Sequence, residues 1–228
     1  MKLSQLIIFA LLPFGLFSCN LKEKNPHHEN GDAAPSTILQ AVNDQDLSGY
    51  DTAYFAGGCF WCVEAIYESV KGVKEVISGY AGGTEDNPTY EAVGRGKTSH
   101  AEAVKIYYDP GKISFLELVQ VFFGSHDPTT LNRQGPDRGP QYRSIAFYKN
   151  ETEKKILEAY VQELNAQKVF GSPIVTEITQ FTKFHTAEDY HQDYEKNNPD
   201  NPYVQSVSIP RLNRFKKKFP ELLKKGAH

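Results

Sequence analysis

Cysteine is scarce in this chain: 228 residues hold three thiols, Cys19, Cys59 and Cys62, and none follows Cys62. A structural zinc site needs four ligands, and there is no second cysteine pair to supply them. His126, His185 and His191 do not stand at a zinc spacing, so no metal is expected. No charge of one sign dominates either. The formal net charge is −3, which argues against nucleic-acid binding and against a polybasic membrane surface. The apolar run Leu6–Phe17 falls short of the roughly 20 residues that span a bilayer as a helix. No internal repeat is visible. What is there is an apolar share of 39% and an aromatic share of 12%, enough for one sizeable core. One soluble domain with an N-terminal appendage is expected.

The appendage has recognisable parts. Lys2 precedes the apolar run, which contains Pro13 and Gly15, and this is the pattern of a secretory signal. Leu16-Phe17-Ser18-Cys19 resembles the bacterial lipobox, in which cleavage leaves a lipidated cysteine, although Phe17 is bulkier than usual there. An ordinary signal peptide cut nearby, with Cys19 left as a stray thiol or removed, is the alternative. Residues 1–18 are therefore expected to be a signal peptide of lipoprotein type and Cys19 the lipidated residue. Residues 19–51 are polar, carry Pro26, Gly31 and Pro35, and read as a flexible tether. His27-His28 within it reads as a solvated pair. The folded domain is expected over residues 52–228, exported and anchored to a membrane of a bacterial envelope by its lipid. The domain would then lie in the periplasm or another extracytoplasmic space.

From Thr52 the pattern turns regular. Thr52–Ala56 reads as a buried strand ending at Gly57-Gly58, and Cys59–Val70 carries apolar residues at helical spacing. Val73–Tyr80 and Ala101–Tyr108 read as strands. Ser114 with Glu117 three residues on is a capping-box signature for a helix to about Phe123. After a polar stretch, Arg143–Tyr148 reads as a strand, Thr152–Gln167 as a helix and Ile174–Ile178 as a strand. The order β-α-β-β-α-β predicts an α+β two-layer sandwich with a ferredoxin-like split β-α-β core. Two long irregular loops, Ala81–His100 and Gly124–Gln141, are expected to flank the Gly57–Cys59 turn.

Cys59 and Cys62 are three positions apart, so on a helix their sulfurs share a face. The glycine pair places Cys59 at the first turn, where free amide N–H groups and the helix dipole favour a thiolate. Cys62 lies deeper, less stabilised as an anion, and suits a resolving thiol. Two inert buried cysteines would be the bland alternative. A thioredoxin-type thiol–disulfide oxidoreductase is the stronger rival, because it too carries Cys-x-x-Cys after a strand. Phe60 and Trp61 between the cysteines differ from the small or Pro-containing pairs usual there.

Seven segments in order carry a resemblance: Gly58-Cys59-Phe60-Trp61, Gly79-Tyr80-Ala81-Gly82-Gly83, Asn87-Pro88-Thr89-Tyr90, His100-Ala101-Glu102-Ala103-Val104, His126-Asp127-Pro128, Gln134–Gly139 and Gln141-Tyr142-Arg143-Ser144. Together they resemble the A-type peptide methionine sulfoxide reductases from about Thr52 to His191. The resemblance implies that Cys59 attacks the sulfoxide sulfur and is left as a sulfenic acid, the reversible first rung of cysteine oxidation. It implies that Phe60 and Trp61 hold the substrate methyl group in an apolar pocket. Glu102 matches the family acid that protonates the sulfoxide oxygen, and burial on its strand would keep it protonated. Tyr90 and Tyr142 match the phenols that hydrogen-bond that oxygen, and Asp137 matches a supporting acid. Preference for the S epimer also comes from the resemblance.

The likeness weakens in the tail. Many relatives carry Gly after Phe-Trp and recycling cysteines near the C-terminus, whereas here Cys62 follows and the tail has no thiol. Resolution therefore falls to Cys62, as a Cys59–Cys62 disulfide reduced by thioredoxin or a similar dithiol protein. No tail residue is carried over from the family, Tyr203 included. The basic stretch Arg211–Lys218 reads as a solvated helix face. The expected partners are oxidised protein or peptide methionine, free methionine sulfoxide and the reductant. Neither cofactor nor nucleic acid is implied, and the domain is expected to be a monomer. A thiol–disulfide oxidoreductase and a non-enzymatic surface lipoprotein remain as the other classes.

Overall fold

The computed structural model describes residues 46–226. The signal segment, Cys19 and the tether as far as residue 45 lie outside the described residues. Among those described, no helix is long and apolar enough to cross a membrane.

The chain enters through β1 (Asp51–Gly57), turns into α1 (Phe60–Glu68) and returns as β2 (Val73–Ala81). A short α2 (Tyr90–Gly94) leads to β3 (Ala101–Tyr108) and α3 (Phe115–Ser125). A small hairpin, β4 (Arg133–Gln134) and β5 (Asp137–Arg138), precedes β6 (Ser144–Tyr148) and α4 (Glu151–Ala166). β7 (Glu177–Gln180) and β8 (Phe184–Thr186) follow. The tail then forms α5 (Tyr194–Asn197), a π-helical segment Val204–Ser208 and α6 (Ile209–Lys218).

The main sheet has the order β7-β6-β1-β3-β2-β8. Its central four strands, β6-β1-β3-β2, are all antiparallel neighbours, the arrangement of a split β-α-β core. β7 extends one edge in parallel with β6, and β8 extends the other against β2. The α+β two-layer expectation therefore holds.

Strand alternation sorts the side chains. Ala53 and Phe55 of β1, Val76 and Tyr80 of β2, and Val104 and Ile106 of β3 join the main core with α1 and α3. Tyr54, Ala56, Ala103, Ile145 and Phe147 point to the other face, which Phe181 and Phe184 cover. Phe181 stacks on Tyr54 with ring centroids 3.7 Å apart. Glu102 precedes Val104 by two residues, so alternation turns its carboxyl toward the helices and the core.

Local signals explain the helix starts. Ser114 Oγ accepts from the Glu117 N–H at 3.2 Å, while Glu117 Oε2 accepts from the Ser114 N–H at 2.8 Å, completing the predicted capping box. Asn150 caps α4 by accepting from the Glu153 N–H at 2.9 Å.

Three expectations are corrected. The strand predicted over Ile174–Ile178 begins at Glu177, because its position is set by parallel pairing of Ile145 with Glu177 and not by its own apolar residues. The two loops expected to be irregular contain α2 and the β4–β5 hairpin. The basic tail segment is not simply a solvated face. Arg211 and Phe215 of α6 are buried, while Arg214, Lys217 and Lys218 stay exposed.

Candidate active site

The turn between β1 and α1 sets the site. Gly58 has φ +86°, a conformation that L side chains avoid, and a Cβ there would come within 2.6 Å of the Gln134 side chain. Glycine thus lets the hairpin loop close over the turn. Cys59 takes the N-cap position of α1, and Cys62 lies one turn on. Both cysteines are free and buried, at 5% and 1% exposure.

The two thiols are hydrogen-bonded to each other and titrate as a pair. Cys62 is the one shifted down. Its thiol is lowered to about 6 by the hydrogen bond from Cys59, against the cost of burial, with help from the Arg211 charge, the Ser208 hydroxyl and Tyr203. Burial first, and then the Cys62 sulfur, push Cys59 well above the ordinary thiol range. The pair therefore shares one proton near neutral pH, and the Arg211 charge, the Ser208 hydroxyl and Tyr203 gather around the deeper sulfur.

The expected acid and phenols converge here. Glu102 is 2% exposed, and burial raises its carboxyl to about 8 while the Phe60 N–H, donating to Oε2 at 3.1 Å, opposes the rise. Burial likewise raises Tyr90, to about 12, and Tyr142, and both feel the charges of Glu102 and Cys59. Tyr90 is the first residue of α2, and Tyr142 closes the turn after the β4–β5 hairpin, so both long loops do flank the Gly57–Cys59 turn. Asp137, on β5, is half-buried and raised by burial, and Tyr203 Oη donates to its Oδ2 at 2.6 Å.

Aromatic rings build a wall next to the thiols. Phe60 is 1% exposed and has the His191 ring 5.0 Å away and the Tyr90 ring 6.3 Å away, centroid to centroid. Trp61 is half-buried, stacks on Tyr194 at 3.7 Å and donates its indole N–H to His191 Nδ1 at 3.1 Å. This bond makes Nδ1 an acceptor, and burial keeps His191 neutral by lowering it to about 4. Phe60 therefore belongs to the core, and Trp61 packs against it.

The family model described as peptide methionine sulfoxide reductase matches residues 51–223. The chain belongs to that family. A peptide methionine sulfoxide reductase MsrA 1 of Rhodopirellula baltica is 49% identical over 185 residues, 81% of this chain and 95% of that one. MsrA 2 of Mesorhizobium japonicum is 46% identical over 182 residues, 79% of this chain and 93% of that one. Among solved structures, Mxr1 of Saccharomyces cerevisiae in its reduced form aligns with a TM-score of 0.62 at 36% identity, covering 69% of this chain and 91% of that one. Membership makes the chain an oxidoreductase of the A type.

Within this family member, several residues around the thiols escaped sequence reasoning. Glu188 accepts from Tyr80 Oη at 2.8 Å and from the Tyr90 N–H at 2.9 Å, tying α2 to the segment that carries His191. Gln192 anchors that segment to β2 by exchanging hydrogen bonds with the Ser78 backbone at 2.9 and 3.1 Å. Tyr203, Ser208 and Arg211 come from the tail, which carried no motif. Ser208 ends a π-helical segment, a feature that often marks functional sites but that residue pattern does not announce. His126 is excluded as a ligand by its own bonds: one ring nitrogen pairs with the Phe122 carbonyl and the other with the Ser144 hydroxyl, each at 2.8 Å. Among the described residues, no cluster of His, Cys, Asp and Glu is arranged to hold a metal.

Proposed function

We propose that the chain reduces methionine-S-sulfoxide in proteins and peptides, and free methionine sulfoxide, with Cys59 as nucleophile and Cys62 as resolving thiol. The observation that carries this reading is the convergence of a hydrogen-bonded thiol pair, a buried carboxyl and two phenols beside an aromatic wall, in a chain of this family.

The site supports each step. The substrate methyl group lies against Phe60 and Trp61, which exclude water from the reacting sulfur. The single proton of the thiol pair shifts along its hydrogen bond to Cys62, leaving the Cys59 sulfur to attack the sulfoxide sulfur. Glu102, protonated below about pH 8, gives its proton to the oxygen while Tyr90 and Tyr142 hydrogen-bond it. The sulfoxide sulfur gains two electrons and leaves as the thioether, and its oxygen remains on Cys59 as the sulfenic acid. The Cys62 sulfur then displaces that oxygen as water, forming a Cys59–Cys62 disulfide. A thioredoxin-like dithiol protein reduces the disulfide by exchange. Asp137, tied to Tyr203, supports the loop that carries Tyr142.

The same reading includes a lipid anchor on Cys19, residues 1–18 as its signal and residues 19–51 as the tether to a monomeric domain over residues 52–228. It places the domain outside the cytoplasm of a bacterial cell. It is supported by the apolar run after Lys2 and by the lipobox-like residues before Cys19.

An epimer-resolved assay on residues 46–228 tests the reaction, with and without a thioredoxin system and beside a protein disulfide substrate. Cys59→Ser is expected to make no methionine, and Cys62→Ser about one equivalent per site before stalling. Turnover of neither epimer, or of the disulfide alone, overturns the proposal. Normal recycling by Cys62→Ser overturns the resolving role.

A further inference from the structure

The tail places one charge next to the thiols that the reaction above leaves unused. Arg211 is 7% exposed. Its Nε donates to the Ser125 carbonyl at 2.7 Å and its Nη2 to the Gly57 carbonyl at 2.9 Å. A Cβ on Gly58 would stand 3.4 Å from Nη1, so the guanidinium packs directly against the turn that begins α1. Arg211 takes part in none of the ion pairs found among the described residues. A buried guanidinium without a counter-ion is costly, and fixed carbonyl dipoles offset only part of that cost. The acidic groups that its charge favours are Cys62 and Asp137. Ser208, whose hydroxyl hydrogen-bonds the Cys62 sulfur, lies three positions before Arg211 where the π-helical segment runs into α6, so the two side chains share a face directed at that sulfur.

We propose that Arg211 is a positioning residue for the resolving half of the reaction: pinned by the Gly57 and Ser125 carbonyls, it holds a fixed positive charge on Cys62 and keeps that sulfur nucleophilic while Cys59 carries the oxygen. The inference rests on the reading of Cys62 as the resolver. In the resting pair the strongest acidifying partner of Cys62 is the Cys59 thiol itself. Once Cys59 is a sulfenic acid, that thiol donor no longer exists. Arg211, Ser208 and Tyr203 remain around Cys62, and only Arg211 among them is charged. The step is balanced: the Cys62 thiolate attacks the Cys59 sulfur, an S–S bond forms, the S–O bond breaks, and the hydroxide leaves as water with a proton from the site. Both sulfurs end at the disulfide level, and no outside oxidant is consumed.

The test follows resolution directly. Reduced protein receives one equivalent of a methionine sulfoxide peptide and is trapped with dimedone at intervals between pH 5 and 9. Intact masses then report thiol, sulfenic acid and disulfide. The other titrating groups facing the pair are Cys59, Glu102, Asp137, Tyr203 and His126, so each variant is compared with wild type over the full range. In Arg211→Met, disulfide formation near neutral pH is expected to slow about tenfold, with its pH midpoint raised by about one unit, because thiolate fraction sets the rate. Arg211→Gln carries the same expectation and replaces the Met variant should that fail to fold. Arg211→Lys keeps the charge, so its midpoint should stay near that of wild type. An unchanged midpoint and rate in the neutral variants overturns the role of Arg211. So does a shift in Arg211→Lys as large as theirs, since charge would then not be the cause. A wild-type protein that accumulates sulfenic acid and never forms the Cys59–Cys62 disulfide would instead sink the reading of Cys62, and Arg211's role with it.

Discussion

The Phe60 N–H donates to Glu102 Oε2 at 3.1 Å, so the residue after Cys59 holds the buried acid beside the thiols. The carboxyl is fixed at the start of α1 without a cationic partner and is raised to about 8 chiefly by burial.

Glu102→Gln is expected to lower the rate of methionine formation by roughly 10²–10⁴-fold, the range for loss of a general acid. The wild-type rate should fall as pH rises through about 8, and the variant should lack that limb. The stability effect has a definite sign. A carboxyl with a raised folded pKa binds more protons folded than unfolded, so wild type loses stability as pH rises from about 4.5 to about 8, at up to about 1.4 kcal/mol per pH unit. The Gln variant escapes this loss. Urea unfolding at pH 5 and pH 8 should show its relative stability improving with pH, and a pH-independent difference would refute the buried acid.

Trp61 is the single tryptophan, which makes its fluorescence a local reporter. His191→Phe removes the acceptor of its indole N–H, and the emission maximum should shift while KM for a sulfoxide peptide rises, about tenfold for the loss of one positioning bond. In the wild-type protein, the same emission change should appear only as pH falls through about 4, where His191 takes up a proton and ceases to accept. A transition near pH 6.5 would mean that the ring is solvated.

Gly58→Ala places a Cβ at φ +86° and within 2.6 Å of Gln134. Thermal or urea unfolding should record a loss of about 1–3 kcal/mol, the range for strained backbone. Activity should fall as well, because the displaced Gln134 belongs to the hairpin loop that also carries Asp137. A neutral effect would show that the turn is not held as described.

Tyr203→Phe deletes the 2.6 Å bond to Asp137 and leaves that half-buried carboxyl without its phenol donor. A loss of about 1–3 kcal/mol at neutral pH is expected in urea unfolding. The loss should diminish at low pH, where Asp137 is protonated in both variants. An equal loss at every pH would point to ring packing instead of the hydrogen bond.

Much of this arrangement was legible because its causes are local. The capping box at Ser114 and Glu117 announces α3, and the order of strands and helices announces the split β-α-β sheet. Period-two alternation puts Glu102 on the same face as Val104, and the glycine pair marks the turn before Cys59. What stayed hidden depends on partners far along the chain. Arg211 donates to the Gly57 carbonyl across 154 positions, and nothing in its own neighbourhood signals it. β8 exists because β2 offers an edge, and β7 takes its position from β6. The surroundings of Cys62 likewise stayed hidden, because Ser208, Tyr203 and Arg211 are all supplied by a tail without a motif.

The placement of both thiols on one helical turn bears on how much the molecule has to move. Residues three apart in an α-helix have Cα atoms about 5 Å apart, within the span that a disulfide bridges. On the proposed reading of Cys62 as resolver, oxidation and reduction alternate within four consecutive residues, and no distant segment need travel to deliver a thiol. The C-terminal part of the chain would then be free of shuttling electrons and could serve as a brace, with Arg211, Phe215, Val204 and Ser208 buried. The outline presented to a reductant would then remain nearly constant from the first half-reaction to the last.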